Sequence, residues 1–200
     1  MKGLIIKDIL TLKSYLKMLI IMMILLFGMG IVTQQIDSFL PILLVISPMV
    51  ALVTFSYDQS SHWNSYGKTL PITNAQFVMS KYIGAIVFLI AGVTLITLLS
   101  LIIGKGFPNI TLVLLSISYT FFILSFLFPT TYKFGPEKTR LMIIAFLMIP
   151  SILVTVLSEV NITISESMIE TLMNLSPLIS LILYGCSYFL SVSIFSKKEF

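Results

Sequence analysis

The sequence predicts an all-α, polytopic membrane protein: six transmembrane helices, an N-terminal amphipathic interfacial helix, and a short helix in the loop between the second and third spans. Three observations lead there. Of the 200 residues, 58% are hydrophobic and only 10% are charged, with a mean hydropathy of +1.08. Soluble domains run at roughly 45–50% apolar and about 25% charged. So little charge cannot coat a water-facing surface, and the chain is too rich in Leu, Ile and Phe for disorder. Second, the charges fall in the breaks between six charge-free runs, at 18–36, 38–57, 82–104, 106–132, 141–158 and 171–196. A helix crosses the hydrocarbon with about 20 residues, and a charge at its centre costs roughly 2.5–3.5 kcal/mol. Third, the basic residues segregate. With the N-terminus inside, Lys2, Lys7, Lys13, Lys17, Lys68, Lys81, Lys133, Lys138, Arg140, Lys197 and Lys198 are cytoplasmic, and Lys105 alone lies outside. Cytoplasmic loops carry the excess of Lys and Arg, so both termini are expected on the cytoplasmic side.

In chain order, residues 1–16 mix apolar and basic positions. On a helical wheel Lys7, Asp8, Thr11 and Ser14 share one arc, while Ile5, Ile6, Ile9, Leu10 and Leu12 cover most of the other; Lys13 violates the pattern. That is the signature of a helix lying flat on the inner leaflet. The first apolar run is followed by Thr33-Gln34-Gln35-Ile36-Asp37, without a small-residue cleavage site, and is expected to be retained. The spans are placed at 17–34, 38–57, 82–103, 108–128, 141–157 and 174–195, within a single transmembrane domain covering 1–200. Gly104-Lys105-Gly106-Phe107-Pro108 is a tight hairpin between the third and fourth. Pro41, Pro48, Pro150 and Pro177 fall inside spans, where a bundle can re-satisfy the freed carbonyls.

The segment 58–81 is the longest polar stretch between spans and holds the only Trp and the only His. Thr73 and Gln76 have the spacing of a capping box, so a short helix is expected to start at Thr73 and run toward Lys81, parallel to the membrane. Pro71 precedes it without breaking it. The second inner loop, Pro129 to Arg140, contains Gly135-Pro136, which forces a turn, and charges of alternating sign. The loop at 158–173 is acidic, with Glu159, Glu166 and Glu170.

Several function classes are disfavoured. No charged residue sits in the centre of a span, as ion-coupled carriers usually require. There is no phosphate-binding G-x-x-x-x-G-K-[ST] loop and no H-E-x-x-H. His62 is the single histidine and Cys186 the single cysteine, which excludes an ordinary zinc site and an intrachain disulfide. Asn109-Ile110-Thr111 and Asn161-Ile162-Thr163 match the glycosylation pattern by coincidence. The net charge of +4 is an orientation signal rather than a nucleic-acid footprint.

Three stretches resemble small permeases of the ABC-2 type. These are Lys2-Gly3-Leu4-Ile5-Ile6-Lys7-Asp8; Phe55-Ser56-Tyr57-Asp58 leading through Trp63, Tyr66 and Leu70-Pro71-Ile72-Thr73 to Ser80-Lys81-Tyr82; and Tyr132-Lys133-Phe134-Gly135 with Glu137, Lys138 and Arg140. The six-span layout resembles the family throughout. The resemblance implies a permease subunit without its own ATPase motif, not an enzyme, that binds no cofactor itself. It pairs with a separate ATPase subunit carrying ATP and Mg, and forms a homodimer or heterodimer with a second permease through helices two and five. It also implies that Asp58, Trp63, Tyr66, Leu70, Pro71, Thr73, Gln76 and Lys81 form the ATPase-coupling segment, and that Lys133, Gly135, Glu137 and Arg140 form the second inner loop. Gln59-Ser60-Ser61-His62 and Asn74 depart from the family pattern, which is more charged there. The narrower likeness is to exporters of phenol-soluble modulins and antimicrobial peptides in the bacterial cytoplasmic membrane, whose substrates are hydrophobic or amphipathic peptides. Two other classes stay open on the residues alone: a non-transporting immunity or scaffold protein, and an ion-coupled carrier.

Overall fold

In the computed structural model the described residues are 2–13, 15, 17, 20, 21, 24, 25, 28, 40–61, 63, 66, 67, 72–102, 106–159 and 166–197. They form six long helices and no strand: α1 (Lys2–Thr11), α2 (Leu40–Ser60), α3 (Asn74–Ile102), α4 (Ile110–Phe134), α5 (Pro136–Glu159) and α6 (Glu166–Lys197). Of the first expected span, residues 17, 20, 21, 24, 25 and 28 are described; they are helical and exposed. His62, Lys68, Leu70, Pro71 and Lys105 lie outside the described residues.

Among the described residues, three helical stretches are long and apolar enough to cross a membrane: Asn74–Ile102, Ile110–Phe134 and Met173–Lys197, with window hydropathies of 2.7, 2.2 and 1.9. Only 24%, 33% and 28% of those windows is buried inside the protein, so most of each apolar surface needs a non-aqueous solvent. The chain is a membrane protein.

The helices overrun the charge-free stretches. α3 has 29 residues, about 43 Å at the usual rise per residue, against a hydrocarbon core of about 30 Å. The expected short helix at 73–81 is therefore not separate. It is the first two turns of α3, continuous with the span, because nothing between Asn74 and Tyr82 breaks a helix. The second expected loop also shrinks: α4 runs through Pro129 to Phe134, α5 starts at Pro136, and Gly135 alone makes the corner. Gly135 has φ 87 and ψ 165, a conformation open essentially to glycine. Its N–H donates to the Thr131 carbonyl at 2.9 Å, and its own carbonyl accepts from the Thr139 hydroxyl at 2.7 Å. At the other end of the bundle Gly106 has φ 77, and Asn109 caps α4 by accepting the Thr111 N–H at 3.0 Å.

α4 packs against α2, α5 and α6; α3 packs against α2 and α6; α1 lies across α2 and α3. The core gathers at the end of the bundle that carries Asp58, Lys81 and Lys133, here termed the basic end. It comprises Phe55, Phe77, Val78, Tyr82, Leu124, Leu127, Phe128, Tyr132, Tyr184 and Phe195 with smaller neighbours. Toward the Gly106 end the helices present Ile90, Leu98, Ile102, Ile110, Leu114 and Leu178 outward.

Candidate functional site at the basic end of the bundle

Four charges meet where α1, the end of α2 and the start of α3 converge. Lys81 Nζ lies 2.8 Å from Asp8 Oδ1 and 2.6 Å from Asp58 Oδ2. Lys7 Nζ contacts Asp58 Oδ1 directly and lies 3.1 Å from Asp8 Oδ1. Two ammoniums and two carboxylates alternate, so the tetrad is neutral as a whole. Side-chain exposure is 4% for Asp58 and Lys81, 9% for Asp8 and 23% for Lys7. Charges so withdrawn from water persist only when paired and hydrogen-bonded. Aromatic faces complete the shell: Lys7 Nζ is 4.5 Å from the Trp63 ring centroid, and Lys81 Nζ is 5.4 Å from that of Phe55.

The tetrad fixes which side of α1 meets the bundle. Leu4, Asp8 and Leu12, at i, i+4 and i+8, are buried against the bundle, while Ile6, Ile9 and Leu10 are exposed. Asp8 and part of Lys7, from the expected polar arc, face the protein, and of the expected apolar arc Ile6, Ile9 and Leu10 are exposed while Leu12 is buried. The physical reason is partner supply: Asp58 and Lys81 pair with Lys7 and Asp8.

α3 begins at a complete capping box. Thr73 N–H donates to Gln76 Oε1 and Gln76 N–H donates to Thr73 Oγ1, both at 3.3 Å. One turn on, Phe77 stacks on Phe195 of α6 with centroids 5.0 Å apart. Gly67 lies over that ring; a Cβ there would sit 2.8 Å from Phe77 Cε2, so the chain passes this close only as glycine. Tyr82 follows Lys81 and turns the opposite way, with its hydroxyl 2.7 Å from Ser187 Oγ and 2.8 Å from Ser191 Oγ of α6. Tyr184 donates to the Tyr82 carbonyl at 2.9 Å, and Tyr188 to the Ala75 carbonyl at 3.3 Å. α3 is thus clamped by ion pairs on one side and tyrosine–serine bonds on the other.

Of the coupling segment expected from sequence, Asp58 and Lys81 come together in the tetrad, and Trp63 sits on it. Trp63 and Tyr66 are tilted against each other at 5.4 Å, with Tyr66 exposed. Thr73 and Gln76 form the cap at an exposed edge. Leu70 and Pro71 lie outside the described residues. Of the second inner loop, Arg140 reaches back to α2, donating to Ser56 Oγ at 3.0 Å. Gly135 faces Gln59, whose Oε1 would lie 3.4 Å from a Cβ. Glu137 and Arg140 line an open polar cleft with Ser56, Gln59, Ser60 and Pro136. Lys133 points away and lies 5.1 Å over the Phe134 ring.

Sequence reasoning missed Lys7, Asp8, Tyr82, Tyr184, Ser187 and Ser191 as parts of this site. One signal was present. Lys7-Asp8 is an adjacent opposite pair in an otherwise apolar segment, and Asp58 and Lys81 are single charges each beside a tyrosine at a span boundary.

The family described as ABC-2 family transporter protein matches the chain over residues 3–196. No curated protein and no solved structure matches it.

Proposed function

Because this chain belongs to the ABC-2 transporter family, we propose that it is the membrane-spanning permease of an exporter that moves hydrophobic or amphipathic peptides out across the bacterial cytoplasmic membrane. Family membership carries with it the role of a non-catalytic membrane subunit and an ABC ATPase as partner. In our reading ATP and Mg are bound by that ATPase, and the basic end is cytoplasmic and receives it.

The observation that supports this most is the continuity of α3. A helix capped at Thr73 runs unbroken to Ile102. A push on its first turns therefore moves the whole span, and the tetrad and tyrosine clamp carry the displacement to α1, α2 and α6. In our reading a second permease packs along α2 and α5, the face that the resemblance implies. The absence of a charged group in the described span centres suits an apolar or amphipathic cargo better than an ion or sugar.

Co-purification from native membranes through a C-terminal tag, with stoichiometric partners identified by mass spectrometry, tests the reading. One ATPase per permease is expected. Its consistent absence, across several detergents and after crosslinking, would return the protein to the immunity or scaffold class. The coupling assignment has its own test. A Thr73→Pro/Gln76→Ala pair, or Leu70→Asp, is expected to abolish peptide export while leaving membrane insertion intact. Normal export by both would remove 58–81 from the coupling path.

A further inference from the structure

A groove of about 390 Å³ runs between α4 and α6. Ser118, Tyr119 and Phe122 of α4 and Ser176, Ile179 and Ser180 of α6 line it. Ser118 and Ser180 are buried, at 5% and 4% exposure, and form its floor; Tyr119, Phe122 and Ile179 are exposed and form its rim. Both walls belong to stretches long and apolar enough to cross a membrane, Ile110–Phe134 and Met173–Lys197. Ser118 lies eight residues into α4, about 12 Å from its start at the Gly106 end. The groove therefore opens sideways, within the hydrocarbon rather than into water.

Three serines would suit water, but each hydroxyl proton is already committed to its own helix. Ser118 donates to the Leu114 carbonyl at 2.7 Å, and Ser180 to the Pro177 carbonyl at 3.0 Å. Ser176 donates to the Met173 carbonyl at 2.8 Å, which Pro177, having no N–H, leaves without its helical partner. Size and charge then narrow the occupant. Filled with water, the groove would hold on the order of a dozen molecules, each taking a ~30 Å³ share and needing two to four polar partners. The lining cannot supply them. None of the described lining residues is charged, so nothing holds an ion. Left empty, the walls would forfeit their dispersion contacts.

We infer that this groove holds one acyl chain of a membrane phospholipid, inserted sideways between α4 and α6. Continuity argues for this occupant over a protein segment. The rim runs into the exposed apolar surface of the same two helices, Leu114, Leu178, Leu181 and Ile182, which faces the bilayer. An acyl chain also brings no polar group to this depth, whereas an irregular peptide segment would bring backbone N–H and C=O groups in need of partners. The acyl chain supplies packing that the small floor residues leave undone. The site needs only that the protein sits in a bilayer, so it stands or falls independently of the transport reading.

Photocrosslinking of the full chain in nanodiscs tests this, with a phosphatidylglycerol that carries a diazirine near the methyl end of one acyl chain. Label is expected on Ser118, Phe122 and Ser180 several-fold above that on Leu181 and Ile182, which lie beside the groove on α6 and are exposed. Equal or weaker labelling of the groove overturns the proposal, whether the space is empty, filled by another part of this chain or covered by a second copy. Lipid retention gives an independent arm. After delipidation in mild detergent, native mass spectrometry is expected to find one phospholipid per wild-type chain. Ser180→Phe, which fills the groove, is expected to lose that lipid, and Ile182→Phe, which adds a ring on the exposed face, to keep it. Loss from both variants, or from neither, overturns the site. The crosslinking arm uses the unaltered chain, so it decides the question even where Ser180→Phe fails to fold.

Discussion

At the scale of single residues, the tetrad decides how much each charge matters. Lys81 touches both carboxylates and has 4% side-chain exposure, whereas Lys7 keeps 23%. Removing one partner from a buried ion pair leaves the other uncompensated, at a cost of about 3–5 kcal/mol. Lys81→Met should destabilise by about that amount, and Lys7→Met by clearly less, because water can reach the carboxylate that Lys7 leaves. Asp58→Asn combined with Lys81→Met leaves Lys7 facing Asp8 as a neutral pair. The double variant should therefore melt well above the sum of its singles, with a coupling of about 0.5–3 kcal/mol. Thermal melting of the four proteins in one detergent and in nanodiscs checks this; simple additivity would mean that the charges do not act as a unit. The four residues were legible individually, as charges flanking apolar runs. Their assembly was not, because Lys7 and Asp58 are 51 residues apart and Asp8 and Lys81 are 73 apart. A charge-free-run map assigns every charge to a loop, and nothing in it shows that a loop charge is folded under a helix.

At the scale of elements, the same map found the order of the helices but not their ends. Charge-free runs measure the hydrocarbon, whereas helices stop where their backbone is broken. Hence α3 starts at Asn74 rather than at Tyr82, and α4 and α5 meet at Gly135 rather than across a loop. The capping box at Thr73 was readable because it is local, four residues long and chemically specific. The corner at Gly135 was readable as a turn, but its one-residue width was not, since Pro129 suggested an earlier stop. Gly135→Ala should destabilise by about 1–3 kcal/mol, the usual cost of forcing a side chain into this region, with Gln59 obliged to yield as well. A denaturation series in mild detergent measures it. For α1 the amphipathic pattern was legible, but not the protein partners that Asp58 and Lys81 supply to Lys7 and Asp8. A spin label at Ile6 or Leu10, in a Cys186→Ala background, should be relaxed by oxygen dissolved in lipid rather than by a water-soluble nickel chelate. The reverse pattern would place this exposed face of α1 in water.

At the scale of the whole molecule, the two ends differ in kind. Among the described residues, the basic end holds the aromatic core, the tetrad and the tyrosine–serine clamp, and exposed apolar side chains such as Ile90, Leu98, Ile102 and Ile110 lie toward the Gly106 end. The Lys and Arg distribution of the sequence makes the basic end the expected cytoplasmic one. Single cysteines in a Cys186→Ala background read this out at three exposed positions. Gln76 and Ser196 mark the basic end, and Phe107 the opposite one. A membrane-impermeant maleimide added to intact cells should label Phe107→Cys and spare Gln76→Cys and Ser196→Cys. The latter two should react once the membrane is opened. Labelling of Gln76→Cys from outside would invert the protein, and with it the side from which an ATPase could reach the capped start of α3.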